Sequence, residues 1–443
     1  MYNRNRISKR QGGTSLSIQT NSENPRAIIC SVDVRSPKAK TQCKSILTAQ
    51  ESAQELLRLA DTLGIEVVET IIQERPSPDP ATYLGKGKVQ EVAGLIAEHQ
   101  AQFVLIDGQI SPTQLKNLED ALGATVLDRT EVILKIFAQR ANTKEGKLQV
   151  ELATRRHELT RLTGYGTVMS SLGAGIGTRG PGEQKLEVDR RVLRDRIAVL
   201  SKEIEKAHRV REEQRKQRKE SQIPLISLVG YTNAGKSTLF RILTGEEVLC
   251  DDMLFATLDP WTRKWALPSG KIVLLSDTVG FIQGLPHDLV YAFRSTLEES
   301  LEADLLIHVV DISSPIWTQQ METVENVLEE LGAKERPTVI AFNKTDRVID
   351  ADLESMARIQ GQTVGISALH GYGIEELSIL VEQVLLAGTE VVSLSIPYSM
   401  WDVLSEIRQV GTIIEENHDD TGATITCRLS SADIARISKK LSR

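Results

Sequence analysis

Strand-like and helix-like stretches alternate along the first part of the chain, after a polar start. Residues 1–25 are rich in Gly, Ser and Asn and predict a flexible tail. Beyond them, the pattern predicts strands over 27–34, 66–72, 103–106 and 125–127, and helices over 49–63, 88–99 and 112–122. Because such alternation builds a mostly parallel, helix-covered sheet, we expect an N-terminal α/β domain over residues 26–130.

A helical hairpin is predicted over residues 131–221. A helix over 131–162 precedes the glycine run LGAGIGTRGPGE at 172–183, and a charged helix follows over about 184–221. The apolar residues of this second helix recur at spacings of seven, four, three and four, namely Leu186, Leu193, Ile197, Leu200 and Ile204. This spacing favours a narrow apolar seam against a partner helix, and therefore an antiparallel pair with a glycine-rich tip.

Two further domains are predicted after the hairpin. Apolar strands again alternate with helices over residues 222–387, which predicts a second α/β domain. Residues 388–443 predict a small α+β domain, in which strands 390–396 and 424–429 flank a helix over 401–410. The expected fold class is therefore multidomain α/β.

Composition agrees with a globular protein and narrows its location. The 443 residues exceed what one core usually serves, and 40% hydrophobic with 26% charged residues is ordinary. The longest apolar runs fall far short of the roughly 20 residues that span a bilayer, and no secretory signal is recognisable. The four cysteines are scattered, without a disulfide or zinc pattern. We expect a cytoplasmic monomer without stable membrane insertion. A part of the protein could still associate with a membrane surface.

Charge is unevenly distributed along the chain. The net charge is -7, yet residues 185–219 contain 13 Lys and Arg against 7 Asp and Glu, a local balance of +6. A solvated helix face with charge pairs at helical spacing would explain this balance. Contact with the phosphate backbone of a nucleic acid would explain it equally well.

A phosphate-binding loop follows the first strand of the second α/β domain. Strand 225–229 is followed by the sequence GYTNAGKS and then by a helical run over 238–243, which is the context that such a loop requires. We expect the nucleotide to contact Gly230, Tyr231, Thr232, Asn233, Ala234, Gly235, Lys236, Ser237 and Thr238. Lys236 should reach the β- and γ-phosphates, and Ser237 should offer its hydroxyl oxygen to Mg²⁺.

A second motif, DTVG, ends the strand predicted over 272–276. Its residues Asp277, Thr278, Val279 and Gly280 begin 40 residues after Ser237. The carboxylate would hold Mg²⁺ through water, and the Gly280 N–H would sense the γ-phosphate. After Gly280 the chain has Phe281 where Ras-like enzymes carry a water-orienting glutamine, so we expect slow intrinsic hydrolysis unless another group or a partner supplies the orientation.

The third motif, NKTD, ends strand 338–342 and selects the base. A carboxylate at Asp346 can accept from both the ring N–H and the exocyclic amine of guanine, a donor pair that adenine lacks. Asn343 and Lys344 would support the loop, and Ser367 with Ala368 would complete the base pocket through backbone contacts. The substrate is therefore expected to be GTP.

A threonine between the first two motifs is the expected second Mg²⁺ ligand. Thr257, in the segment LFATLDP, would close onto Mg²⁺ and the γ-phosphate when GTP is bound. Thr262 is an alternative Mg²⁺ ligand. A further alternative is that Thr257 is an ordinary loop threonine with no role in binding. We assign the catalytic roles to Lys236, Thr257 and Gly280.

Two other classes of protein share part of this set of motifs. A P-loop ATPase or nucleotide kinase shares the first motif but has no use for NKTD. A signalling switch with a protein or membrane partner would use the hairpin for docking, although the termini carry no lipidation signal.

Two further motifs narrow the family. The sequence YLGKGK at 83–88 and the run GIGTRGPGE at 175–183, directly before a long helix, join the guanine-site motifs, and together they resemble the HflX family of ribosome-associated GTPases. The resemblance covers about residues 26–386. It departs at Gln184, where the family commonly has Thr, and at Trp261, where a smaller residue is frequent.

The resemblance implies a ribosomal role. The N-terminal domain and hairpin would bind rRNA of the large ribosomal subunit, with the glycine run near the peptidyl-transferase centre. The GTP-bound protein would split or rescue stalled ribosomes, and hydrolysis would allow it to leave. Basic side chains of the hairpin, and Arg179 at its tip, would then contact RNA.

Overall fold

A computed structural model describes most of the chain, namely residues 24–34, 47–172, 181–221, 223–245, 254–255, 261–283, 301–348, 361–387, 389–419 and 421–441. Residues 1–23 of the predicted tail, residues 173–180 of the glycine run, which include Arg179, and Thr257 lie outside these residues. Within the described ranges, no helix is long and apolar enough to cross a membrane.

The N-terminal domain is built on a four-stranded parallel sheet. Its elements are β1 (Arg26–Val34), α1 (Ala49–Thr62), β2 (Glu66–Arg75), α2 (Lys86–His99), β3 (Phe103–Ile106), α3 (Pro112–Leu122) and β4 (Thr125–Asp128). The strand order is β2-β1-β3-β4, with every neighbouring pair parallel. The predicted α/β domain is confirmed, and its strand β2 extends three residues beyond the predicted end.

Local sequence explains where the helices of this domain begin. Thr48 and Glu51 form a reciprocal capping box at α1, and Ser111 and Gln114 form another at α3. Pro112 occupies the first turn of α3, where its missing N–H costs nothing. These side chains satisfy backbone donors that a helix start leaves without partners.

The segment predicted as a two-helix hairpin contains three helices, and the first of them packs in the core of the N-terminal domain. The predicted helix over 131–162 is divided into α4 (Arg129–Arg140) and α5 (Lys144–Leu172), and α6 (Pro181–Ser221) follows. The division occurs because Ala141 is extended and the Thr143 hydroxyl accepts the Gly146 N–H at 3.0 Å, which starts a new helix.

Helices α5 and α6 pack antiparallel, as predicted. Arg190 Nη2 donates to the Leu162 carbonyl at 2.9 Å, and the Arg196 guanidinium binds both carboxylate oxygens of Glu151 at 2.8 and 2.9 Å. The later residue of α6 therefore contacts the earlier residue of α5. Leu200 of the predicted apolar seam is fully buried.

The second α/β domain contains a six-stranded sheet. Its elements are β5 (Leu225–Gly230), α7 (Lys236–Thr244), β6 (Trp261–Ala266), β7 (Ile272–Asp277), β8 (Leu305–Asp311), α8 (Trp317–Leu331), β9 (Thr338–Asn343), β10 (Gln362–Gly365) and α9 (Ile374–Leu386). The order is β10-β9-β8-β5-β7-β6, parallel except for the edge strand β6. Strands β5, β7, β8 and β9 end at one edge, where polar residues gather.

The C-terminal part is an antiparallel sheet with two helices. It comprises β11 (Thr389–Pro397), α10 (Trp401–Val410), β12 (Thr412–His418), β13 (Gly422–Ser430) and α11 (Ser431–Leu441). The sheet order is β11-β13-β12. Strand β12 and helix α11 were not predicted from the sequence.

The N-terminal domain packs against the second α/β domain. Phe137 of α4 meets Phe255 edge-on, with ring centroids 4.6 Å apart, and both rings are buried. Val279 of the DTVG motif belongs to the same apolar cluster. Phe281 and Ile282, which follow the motif, belong to it as well. One continuous core therefore joins the two domains.

Candidate nucleotide site

The loop between β5 and α7 is shaped by a close approach of backbone and side chain. Gly235 has φ +96°, and a Cβ atom there would lie 2.1 Å from Asn343 Nδ2. Only glycine fits this position without displacing Asn343. The loop N–H groups and the start of α7 can then face an anionic ligand.

The Lys236 side chain binds the backbone of its own loop. Its Nζ atom donates to the carbonyls of Gly230 at 3.1 Å and Tyr231 at 2.8 Å. Burial lowers the pKa of Lys236 to about 8, although nearby Asp277 acts in the opposite direction. Burial, and secondarily Lys236, lowers the pKa of His308 on β8 to about 4. His308 is therefore neutral near pH 7, and Lys236 is the cation at this point.

Ser237 and Asp277 meet at the ends of α7 and β7. Ser237 Oγ donates to Asp277 Oδ2 at 2.8 Å, so the hydroxyl proton points at the carboxylate. Thr278 Oγ1 donates to the Leu228 carbonyl at 2.6 Å and fixes the start of the DTVG segment to β5. Hydroxyl and carboxylate oxygens are ligands that suit Mg²⁺, so the two residues fit this ion.

Gly280 lies beside the Lys236 side chain. A Cβ atom at Gly280 would stand 2.9 Å from Thr232 Cα and 3.0 Å from Lys236 Nζ. The next residue, Phe281, donates its N–H to the Gly230 carbonyl at 3.1 Å and accepts the Thr232 N–H at 2.8 Å. Its ring is 3% exposed, packed in the interdomain core.

Asn343 connects the NKTD segment to the loop between β5 and α7. Its Nδ2 atom donates to the Ala234 carbonyl at 2.8 Å, and its Oδ1 atom accepts the Ala368 N–H at 2.9 Å. Lys344 donates to the Asn233 carbonyl at 2.9 Å and to Asp311 Oδ2 at 2.7 Å. These bonds hold the loop after β9 against the loop after β5.

Asp346 is oriented by the following loop. Ser367 Oγ donates to Asp346 Oδ1 at 2.5 Å, and this hydrogen bond is the main cause of a lowered pKa of Asp346. The carboxylate is therefore ionised at neutral pH and can accept two hydrogen bonds from a base. Ser367 acts here through its side chain, and Ala368 through its contact with Asn343.

The structure thus brings together, at one sheet edge, the predicted nucleotide residues from Gly230 to Thr238, from Asp277 to Gly280, and at Asn343, Lys344, Asp346, Ser367 and Ala368. Thr257, the other predicted Mg²⁺ ligand and catalytic residue, lies outside the described residues.

Sequence reasoning missed a buried polar network that reaches this site from the N-terminal domain. The Tyr231 hydroxyl donates to Glu55 of α1, which also binds Arg129, the first residue of α4. Arg129 Nη1 in turn donates to Asp107 Oδ1 at 2.8 Å. The only signal in the sequence is a charged residue, Glu55, within the otherwise apolar buried face of α1.

The YLGKGK segment has a structural place in the N-terminal domain. Tyr83 adopts φ +62°, and its hydroxyl donates to the Asp107 carbonyl at 2.9 Å. Gly85 precedes α2, and its N–H donates to Gln73 Oε1 at 2.9 Å. The segment therefore fixes the position of Asp107 rather than contacting the nucleotide site.

Comparison with protein families assigns each of the first two domains and the hairpin. Residues 50–138 match a family described as GTP-binding GTPase N-terminal, and residues 140–218 match GTP-binding GTPase Middle Region. Residues 225–344 match a family described as 50S ribosome-binding GTPase.

Individual relatives agree over nearly the whole chain. A GTPase HflX from Caldanaerobacter subterraneus is 47% identical, covering 86% of this chain and 89% of the relative. The GTPase HflX of Escherichia coli is 41% identical, covering 88% and 92%. Among solved structures, the chain is similar to a GTP-binding protein from Sulfolobus solfataricus in complex with GDP, at 24% identity and a TM-score of 0.42, covering 82% of this chain and 99% of that one. The extent and identity of the curated matches show that this chain belongs to the HflX family of GTPases and hydrolyses GTP.

Proposed function

We propose that this GTPase binds the large ribosomal subunit and splits or rescues stalled ribosomes, with GTP hydrolysis timing its release. The match of residues 225–344 to a family described as 50S ribosome-binding GTPase supports ribosome binding. Within the structure, the proposal is supported by the basic outer face of α6.

The outer face of α6 carries an excess of cations. Between residues 191 and 209, five exposed basic side chains share the face opposite the buried Leu200: Arg191, Arg194, Lys202, Lys206 and Arg209. Two acids, Asp195 and Glu205, lie on the same face, and Glu205 pairs with Arg209 at 2.8 Å. The surplus of positive charge suits the phosphate backbone of rRNA.

The site residues receive the following proposed roles. Lys236 would bind the β- and γ-phosphates, Ser237 would offer its hydroxyl oxygen to Mg²⁺, and Asp277 would help to hold the ion. The Gly280 N–H senses the γ-phosphate, and Asp346 selects guanine. When bound, Mg²⁺ would neutralise charge on the phosphates, and Thr257 is the proposed second protein ligand.

Slow hydrolysis without the ribosome is part of the proposal. The buried phenyl ring of Phe281 has no group that can orient a water molecule, and its packing among apolar residues keeps it from the nucleotide. A partner that supplies or repositions a polar group would therefore accelerate the reaction. A ribosome-gated GTPase fits this arrangement.

The test measures GTP hydrolysis by the full chain with and without purified large ribosomal subunits, together with co-sedimentation. We expect strong stimulation and GTP-dependent co-sedimentation. Tight guanine-nucleotide binding without either effect would instead favour a signalling switch with a protein partner.

A charge-reversal pair tests the outer face of α6. Arg191→Glu with Arg194→Glu should weaken co-sedimentation and reduce the salt dependence of binding by about one unit of slope per lost phosphate contact. Lys439→Glu with Lys440→Glu, two exposed residues of the C-terminal helix α11, makes the same change in net charge and is the matched control. Equal loss in the control would show a non-specific effect of net charge.

A further inference from the structure

The carboxylate of Glu55 is held rigidly inside the N-terminal domain. Glu55 is 9% exposed, and its Oε2 atom binds the buried guanidinium of Arg129. Arg129 is itself fixed by Asp107, whose Oδ1 atom also accepts the Ser52 hydroxyl at 3.0 Å. Because Asp107 and Arg129 directly follow β3 and β4, the sheet determines where Glu55 lies.

Tyr231 links the buried Glu55 carboxylate to the nucleotide site. Its buried hydroxyl donates to Glu55 Oε1 and accepts the Gln283 N–H at 2.9 Å. Burial, and secondarily Glu55, raises the pKa of Tyr231 well above its ordinary value, so the hydroxyl keeps its proton and remains a donor. In the backbone, the Tyr231 carbonyl accepts from Lys236.

The segment after Gly280 is therefore held at two points. Phe281 pairs through its backbone with Gly230 and Thr232, and Gln283 is held by the Tyr231 hydroxyl. Since Phe281 has no side-chain group for orienting water, the backbone of Gly280 is the part of this segment that would act on the phosphates, and its position would then affect hydrolysis. A change of about 1 Å there is enough to reduce a rate strongly.

We infer that Glu55 is a positioning residue of the GTPase: through the Tyr231 hydroxyl, it lets the N-terminal domain set the position of the segment that follows Gly280. Glu55 touches neither nucleotide nor metal in this role. The inference depends on GTP hydrolysis, which the family membership establishes, and not on ribosome binding.

A double-mutant cycle in the full-length protein, without ribosomes, tests the inference. Glu55→Gln and Tyr231→Phe should each lower kcat for GTP, by about threefold to thirtyfold, a range that corresponds to coupling between contacting residues. The KM for GTP should change less than kcat, because the loop groups that bind phosphate are kept. The double variant should be no slower than the slower single variant, since both changes break the same chain of contacts.

Glu131→Gln is the matched control. It also removes a carboxylate that binds an arginine, Arg161, in the N-terminal half, and its described ion pair does not involve Tyr231. We expect its kcat to equal that of the unmodified protein. Thermal unfolding of all variants separates loss of fold from loss of rate.

Several results would overturn the inference. These are multiplicative effects in the double variant, an increase of kcat in either single variant, or an equal loss in Glu131→Gln. Tyr231→Phe preserves the ring and the Glu55–Arg129 pair, so it gives a decision even if Glu55→Gln fails to fold. An unchanged kcat in Tyr231→Phe would end the proposal. Failure of ribosome binding would leave it standing.

Discussion

The Ser237 hydroxyl donates a hydrogen bond of 2.8 Å to the Asp277 carboxylate, across 40 residues of sequence. The donated proton orients the hydroxyl, so that its oxygen lone pairs point away from the carboxylate. The first two sequence motifs are therefore joined directly through their side chains.

Removing the Ser237 hydroxyl should separate nucleotide binding from hydrolysis. Ser237→Ala is expected to lower kcat by about 10²-fold or more, the size of effect that loss of a group stabilising transition-state charge produces. GDP affinity measured in EDTA should change little, because the metal contributes nothing there. Ser237→Thr keeps a hydroxyl and should retain activity. Equal kcat in the Ala and Thr variants would contradict the assignment.

Nucleotide affinity should depend on pH through Lys236. Below the free-state pKa of about 8, the ammonium group is charged before and after binding, and affinity is full. Phosphates raise the pKa of Lys236, so above about pH 8 binding must take up a proton and affinity falls, by up to about tenfold per pH unit. Titration with a fluorescent GDP analogue between pH 6.5 and about 9 measures this.

The neighbouring groups should not mask the effect. His308 is neutral throughout that range, since its pKa is about 4, and Asp346 stays ionised because its pKa is lowered. An affinity that stays constant to pH 9 would show that Lys236 remains charged without phosphate.

Base selectivity should follow the Asp346 carboxylate. Asp346→Asn replaces one acceptor oxygen by an NH₂ donor, which is unfavourable beside the guanine ring N–H and favourable beside the second carbonyl of xanthine. GTP affinity should fall by about 10²-fold or more and XTP should become the better ligand. Competition binding with both nucleotides measures the change. Retained preference for GTP would place base recognition elsewhere.

A methyl group at Gly235 should abolish nucleotide binding. Gly235→Ala puts a Cβ atom 2.1 Å from Asn343 Nδ2 at φ +96°, so both loops must move. Gly245→Ala is the control, because Gly245 has φ +72° but no atom within 4 Å of the added Cβ. The control should lose about 1 kcal/mol of stability and keep its affinity. Similar GDP affinities in both variants would contradict the prediction.

Much of the nucleotide site could be predicted because its residues sit in short motifs at strand ends. Lys236 and Asp346 come after apolar strands and Asp277 ends one, and parallel strands bring their ends to one edge. The contact between Glu55 and Tyr231 joins residues 176 apart in the chain, and no local pattern announces it. The same holds for Phe137 and Phe255, whose contact depends on how two domains dock.

Two features of the fold were not predicted because their local sequence signals are weak. The break between α4 and α5 depends on Thr143 capping a new helix, and a helical periodicity on both sides hides it. Strand β12 is rich in charged residues and pairs only at one edge of β13, so its alternation is faint. The proposed domain boundaries at residues 130, 221 and 387, and the proposed roles of the site residues, remain predictions for the experiments above.

The bonds of Asn343 to Ala234 and Ala368 join the loop proposed to bind the phosphates to the loop proposed to bind the base, so one side chain fixes the separation of the two proposed subsites. A nucleotide that occupies both would form its second contact at the high effective concentration that a rigid spacer provides. Guanosine or pyrophosphate alone should then bind far more weakly than the joined molecule. A nucleotide whose base and phosphates are spaced differently would engage one subsite at a time, and the protein would discriminate by length as well as by chemistry.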